Sequence, residues 1–211
     1  MTVIIQYNAG NIQSVRYALA RIGAEATVTD DPAVIRSADR VIFPGVGEAS
    51  TAIDYLRERG LDQVIRELTQ PVLGICLGMQ LMCAHSEEND AECLGIFDEK
   101  VRLFRPAAAY EAAPARPADA AGGNAAIKVP QIGWNTIYDL DTQLFKGLPP
   151  TPYVYFVHSY YADLGSHTIG KTDYAGPYSS ALRRANFYGV QFHPEKSAEA
   201  GEAILKNFIS L

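Results

Sequence analysis

Cys76 stands between two glycines, in Gly74-Ile75-Cys76-Leu77-Gly78, directly after an apolar run that starts at Pro71. A cysteine packed as a core residue needs no such frame. One raised on a sharp strand-to-helix elbow does, because flanking glycines relieve crowding there, as in G-x-S-x-G hydrolases. Cys76 is therefore read as a nucleophile. The start of the following helix favours the thiolate, and the backbone N–H of Leu77 is placed to meet an oxyanion. Cys83 and Cys93 lack the frame and read as small buried hydrophobes.

A thiol nucleophile needs a base, and the base needs an orienting group. Among His85, His158, His167 and His193, it is His193 that ends a predicted strand with Glu195 two residues on, in "GVQFHPEKS". Residues i and i+2 of an extended segment share a face, and Pro194 biases His193 toward that conformation. Glu195 is thus predicted to hold the imidazole in the tautomer that accepts the Cys76 proton. A third piece, "FPGVGEA", ends another strand-like run. The glycines around Val46 allow an N–H of the Val46–Gly47 segment to turn inward as a second oxyanion donor. Read alone, that segment is an ordinary turn.

The elements that must position these groups alternate in the first half. "TVIIQY", "EATVT", "RVIFPG" and "PVLGI" read as strands. "IQSVRYALARIG", "EASTAIDYLRERG" and "LDQVIRELTQ" read as helices, with Ile12, Val15, Leu19 and Ile22 at helical spacing. This pattern predicts an α/β fold: a mostly parallel central sheet flanked by helices, whose chemistry lies at the carboxyl ends of the strands. Aromatic and β-branched runs in the second half predict several strands, some antiparallel, before a final amphipathic helix. Between them the Ala/Pro-rich stretch at 105–126 lacks periodicity and reads as a mobile insertion in a single domain spanning 1–211.

With 18 basic and 24 acidic residues among 211, the net charge of -6 argues against nucleic acid or an anionic membrane as the main partner. The N-terminus has no basic, apolar leader, and three cysteines suit a reducing compartment, so a cytoplasmic location is expected. The cysteines and histidines lack metal-ligand spacing, and no phosphate loop or dinucleotide fingerprint is present. Neither a metal nor a cofactor is expected.

The Gly-x-Cys-x-Gly elbow, the His-Pro-Glu ending and the Pro-Gly-Val-Gly strand end resemble the class I (triad-type) glutamine amidotransferases, in that family's order and over nearly the whole chain outside the insertion. "GICLGMQLM", "VPQIGWN", "YFVHSYY" and "GVQFHPEKS" are similar to the glutaminase subunits of imidazole glycerol phosphate synthases, with their flavodoxin-like fold. The resemblance implies that Cys76 attacks the side-chain amide of glutamine, that His193 protonates the departing ammonia, and that a γ-glutamyl thioester is hydrolysed to glutamate. It implies an oxyanion hole from Leu77 with the Val46–Gly47 switch, and substrate contacts from Gln80, Glu88, Ser159 and Tyr160. It further implies a (β/α)8-barrel cyclase as partner in a heterodimer, with Pro130, Gln131, Trp134, Tyr138 and Lys196 at the junction. That cyclase would use the ammonia to make imidazole glycerol phosphate and an aminoimidazole carboxamide ribonucleotide. Gln131 stands where the family usually has histidine, and "QYNAGN" replaces the commoner Asp-Tyr-Gly-x-Gly-Asn opening. Two alternatives stay open: an amidotransferase feeding a different synthase, such as a sugar-modifying one, and a stand-alone thiol hydrolase.

Overall fold

The computed structural model describes residues 1–8, 10–105 and 127–211. The expected insertion therefore lies, apart from Arg105, outside the described residues. The first half runs β1 (Thr2–Ile5), α1 (Ile12–Arg21), β2 (Ala26–Thr29), α2 (Pro32–Arg36), β3 (Arg40–Gly45), α3 (Ala49–Glu58), α4 (Leu61–Arg66), β4 (Val72–Cys76) and α5 (Leu77–Met82). Two short strands follow, β5 (His85–Ser86) and β6 (Ala91–Glu92), and then β7 (Lys100–Leu103). The remainder is β8 (Gln131–Thr136), β9 (Tyr153–His158), β10 (Tyr160–Ala162), β11 (Thr168–Asp173), β12 (Pro177–Arg184) and β13 (Phe187–Val190). A 3-10 turn, Pro194–Lys196, leads into the last helix, α6 (Ala198–Ile209).

The main sheet has the order β2-β1-β3-β4-β13-β12-β10-β7-β5-β6, with β11 paired to β12. Neighbours from β2 through β13 are parallel. β12 then runs antiparallel to β13, as do β10 to β12 and β7 to β10. A parallel sheet covered on both faces needs strands that are apolar on both faces, and β1 meets that need. Val3 and Ile5 pack into the core shared with α2, α3, α4 and α5, whereas Ile4 packs with α1 and α6. Val41 and Phe43 against Ile42 repeat the division along β3. Full burial of each such side chain contributes roughly 1.5–3 kcal/mol, so the sheet is a rigid platform for what stands on its edge.

α2 escapes hydrophobic periodicity because five residues are too few to show it. Its signal is local instead: the Asp31 side chain accepts from the Ala33 N–H at 2.8 Å, and Pro32 occupies the first turn. β8 and β9 form a separate antiparallel ribbon, which pairs Gln131 with His158 and Trp134 with Tyr155.

The register brings the three candidate segments together. Gly45, the last residue of β3, pairs with Cys76, the last of β4. Ile75 pairs with Val190, the last of β13, from which the chain runs directly to His193. Pro-Gly-Val-Gly, the cysteine elbow and His-Pro-Glu thus emerge side by side at the carboxyl edge of the sheet.

Candidate active site

Cys76 has φ 53° and ψ −109°, a left-handed conformation that costs a non-glycine residue roughly 1–3 kcal/mol. The strain is carried by the cysteine itself. Its glycine neighbours act through packing: a Cβ at Gly78 would run into the Phe43 carbonyl, and one at Gly74 would lie 2.8 Å from the Met79 nitrogen. Their absence of side chains lets α5 sit directly on β3 and β4. Cys76 is only 6% exposed. It lies at the floor of a cleft of about 320 Å³ lined also by Val46, Gly47, Leu77, Gln80, Glu88, Ser159, Tyr160 and His193. Pro130, Val157 and Lys196 form its outer wall.

His193 is held from three sides. Its backbone N–H donates to the Tyr155 carbonyl at 2.9 Å, and its own carbonyl accepts from the Ser197 hydroxyl at 2.7 Å. Its Nδ1 lies 2.8 Å from Glu195 Oε1, and the ring interacts with the Cys76 thiol, whose Sγ lies 3.8 Å from the Val157 carbonyl. The chain does not remain extended through Glu195, as the spacing had suggested. It enters the 3-10 turn, and that turn swings the carboxylate back to the imidazole. Burial lowers the pKa of His193, but the bonds and charges of Cys76 and Glu195 outweigh it and raise the pKa to about 10. The imidazolium is the favoured form between these two groups.

Glu195 has further partners that no local motif announces. Asn11 donates its side-chain N–H to the same Oε1, and Arg21 donates to the Glu195 carbonyl at 3.3 Å. Gln191 is also absent from the motif reading. It is fully buried, and its Nε2 donates to Cys76 Sγ at 3.7 Å. A usable signal existed for Gln191, since it precedes His193 by two residues in the run leaving β13. None existed for Asn11, which is 184 residues away from Glu195 in sequence.

Gln80 is buried and points inward, donating to the Tyr160 carbonyl and to Gln191 Oε1, each at 2.9 Å. Glu88 lies on the cleft wall, where its Oε2 accepts from the Ala49 N–H at 2.7 Å. Burial raises its pKa, the Ala49 bond opposes that rise, and the charge of Glu48 adds to it. His158 lies beneath the cleft with Nδ1 2.7 Å from the Tyr160 carbonyl and Nε2 3.3 Å from the Tyr178 hydroxyl. Cys83 and Cys93 are buried away from the cleft floor, and burial pushes both thiols up.

The residues expected at a partner junction divide. Trp134 is 52% exposed and stacks edge-on with Tyr155, while Lys196 Nζ sits 6.0 Å from the Tyr155 ring centre. Pro130 is exposed beside them. Tyr138 is half-buried and donates to Asp173 at 2.9 Å. Gln131 departs from the expectation: its side chain is buried, accepting from the Tyr178 hydroxyl at 3.0 Å, because its position on β8 faces inward, paired with His158. Among the described residues no cluster of His, Cys, Asp and Glu could hold a metal ion, and no helix is long and apolar enough to cross a membrane.

Comparison with known proteins adds relatives to this geometry. The chain is 55% identical over 208 residues to the imidazole glycerol phosphate synthase subunit HisH of Bacteroides fragilis, covering 99% of this chain and 98% of that protein. It is 42% identical to the protein of the same name from Escherichia coli, with 99% and 98% covered. Among solved structures, a glutamine amidotransferase superposes with a TM-score of 0.70 at 18% identity, over 99% of this chain and 97% of that one. A chain of PurLQS from Thermotoga maritima gives 0.66 at 14% identity, over 99% and 97%. The sequence pattern of the glutamine amidotransferase class-I family matches residues 3–211, and with relatives this similar along its length the chain belongs to that family.

Proposed function

We propose that the chain is the glutaminase subunit of imidazole glycerol phosphate synthase, acting as one glutamine amidotransferase domain from end to end. The observation that carries the reading is the arrangement in the cleft: Glu195 holds Nδ1 of His193 at 2.8 Å, and the same imidazole lines the cleft with the strained Cys76 and interacts with it. A hydrogen bond at Nδ1 leaves Nε2 to exchange the proton with sulfur.

Cys76 Sγ attacks the carboxamide carbon of glutamine, and the tetrahedral oxyanion is met by the Leu77 N–H and a backbone N–H of the Val46–Gly47 segment. His193 delivers a proton to the departing nitrogen, which leaves as ammonia. The same imidazole then takes a proton from water, which attacks the γ-glutamyl thioester and releases glutamate. Glu88 pairs with the substrate α-ammonium, and Gln80 supports the same end. The backbone at Ser159 and Tyr160 lines the slot.

Ammonia set free in water is protonated and lost as a nucleophile, so the reaction calls for a partner seated over the cleft. The apolar outer face of the β8–β9 ribbon suits such docking: Ile132, Trp134 and Tyr153 are exposed there, and Pro130 and Lys196 link it to the cleft mouth. Exposed aromatics of this kind make good interface anchors. The partner is the cyclase of a heterodimer that receives ammonia directly and completes a lyase-type reaction on a phosphorylated ribonucleotide. The three cysteines are free, which suits a reducing compartment and is consistent with the cytoplasm. In Cys76→Ala, glutamine-dependent synthesis by the complex should fall to background, while synthesis from added ammonium salt continues. Loss of both would overturn the division of labour.

A further inference from the structure

Beyond the triad, a pair of buried amides is locked in one orientation behind the nucleophile. The Tyr160 carbonyl can only accept, so the Gln80 atom 2.9 Å from it must be the side-chain NH2. The same NH2 lies 2.9 Å from the Gln191 amide, which must therefore present its oxygen. Only the Gln191 NH2 is left to face Cys76 Sγ, at 3.7 Å. Gln80 is 5% exposed and Gln191 fully buried, and the Gln191 backbone is tied to the Ser180 carbonyl at 2.9 Å. Neither amide has room or reason to flip, because reversing one would set two acceptors or two donors face to face.

Resting on the reading of Cys76 as nucleophile, we infer that Gln191 is a further catalytic residue, donating an N–H to the sulfur to hold it as thiolate, and that Gln80 is the positioning residue that fixes this donor. A donor bonds the charged sulfur more strongly than the neutral thiol and so favours deprotonation. α5 is only six residues long, which leaves the work to specific donors rather than to a helix field. The other titratable groups facing Cys76 are His193 after β13, Tyr7 after β1 and Tyr178 on β12. Glu195 stands behind His193, and His158 on β9 lies close to it. Burial keeps both phenols neutral, so His193 supplies the charge and Gln191 the N–H donor, since the other hydrogen-bond partner of Sγ, the Val157 carbonyl at 3.8 Å, can only accept.

The test is the rate of Cys76 alkylation by iodoacetamide against pH, read at that residue by mass spectrometry without glutamine or partner. The native protein is compared with Gln191→Met and Gln80→Met, after circular dichroism has established folding. In Gln191→Met the pH of half-maximal alkylation should rise by about one unit, a roughly tenfold loss of thiolate below the midpoint. Gln80→Met should shift it the same way by less. A profile unchanged from the native one in the folded variants overturns the inference. Should Gln191→Met not fold, Gln80→Met decides alone, by the same criterion. Native Cys76 reacting no faster than Cys83 and Cys93 would instead overturn the nucleophile reading itself, and this inference with it.

Discussion

Two histidines of one site are driven in opposite directions by their surroundings. His158 is fully enclosed: burial lowers its pKa to about 4, against the opposing bond to the Tyr160 carbonyl, and the charge of His193 lowers it further. Because its folded pKa lies below the ordinary 6.5, the unfolded chain takes up the proton first. The stability it contributes is present above about 6.5 and is lost as pH falls toward about 4. His193 has the reverse sign: raised to about 10, its contribution is fully present below about 6.5 and is lost as pH rises through the folded value. In His158→Gln, which keeps a donor for Tyr160, the fall in melting temperature from pH 7 to pH 5 should be smaller by about 2–4 °C. An unchanged fall would remove His158 from the acid response. At this scale the chemistry was legible where partners are neighbours in sequence, as with His193 and Glu195, or where a frame marks the residue, as with Cys76. It was not legible where the contact closes across the fold, as between Asn11 and Glu195, 184 residues apart.

At the scale of elements, the elbow depends on β3, β4 and α5 meeting with no side chain between them. A methyl at Gly78 would collide with the Phe43 carbonyl, part of a strand fixed on both sides. Backbone cannot give way as a flexible side chain does. Gly78→Ala should therefore lower stability by roughly 1–3 kcal/mol in urea unfolding, and with it glutaminase turnover, since any relief must shift the Cys76 backbone. Native stability with native turnover would show that α5 tolerates the displacement. The parallel strands were visible as apolar runs because both their faces are buried. α2 was hidden by its length, although Asp31 and Pro32 marked its start. The turn at Pro194–Lys196 was misread as extended, because the spacing of His193 and Glu195 fits either geometry.

For the whole molecule, the edge of the sheet that carries the cleft adjoins the exposed face of the β8–β9 ribbon, so a partner docked there would cover the cleft mouth. The fold class followed from alternating periodicities, and the antiparallel second half from its aromatic and β-branched content. Gln131 shows what such a reading cannot reach. A strand residue one position from exposed Ile132 faces the interior, and its inward side is decided by a partner strand more than twenty residues away. Glutamate release from glutamine reports how the cleft is used. The chain would be assayed alone, then with the cyclase, then with the cyclase and its phosphorylated ribonucleotide substrate. Low release from the chain alone and a sharp rise only in the full mixture are expected. Strong release by the isolated chain, indifferent to both additions, would instead make the protein a free-standing thiol hydrolase.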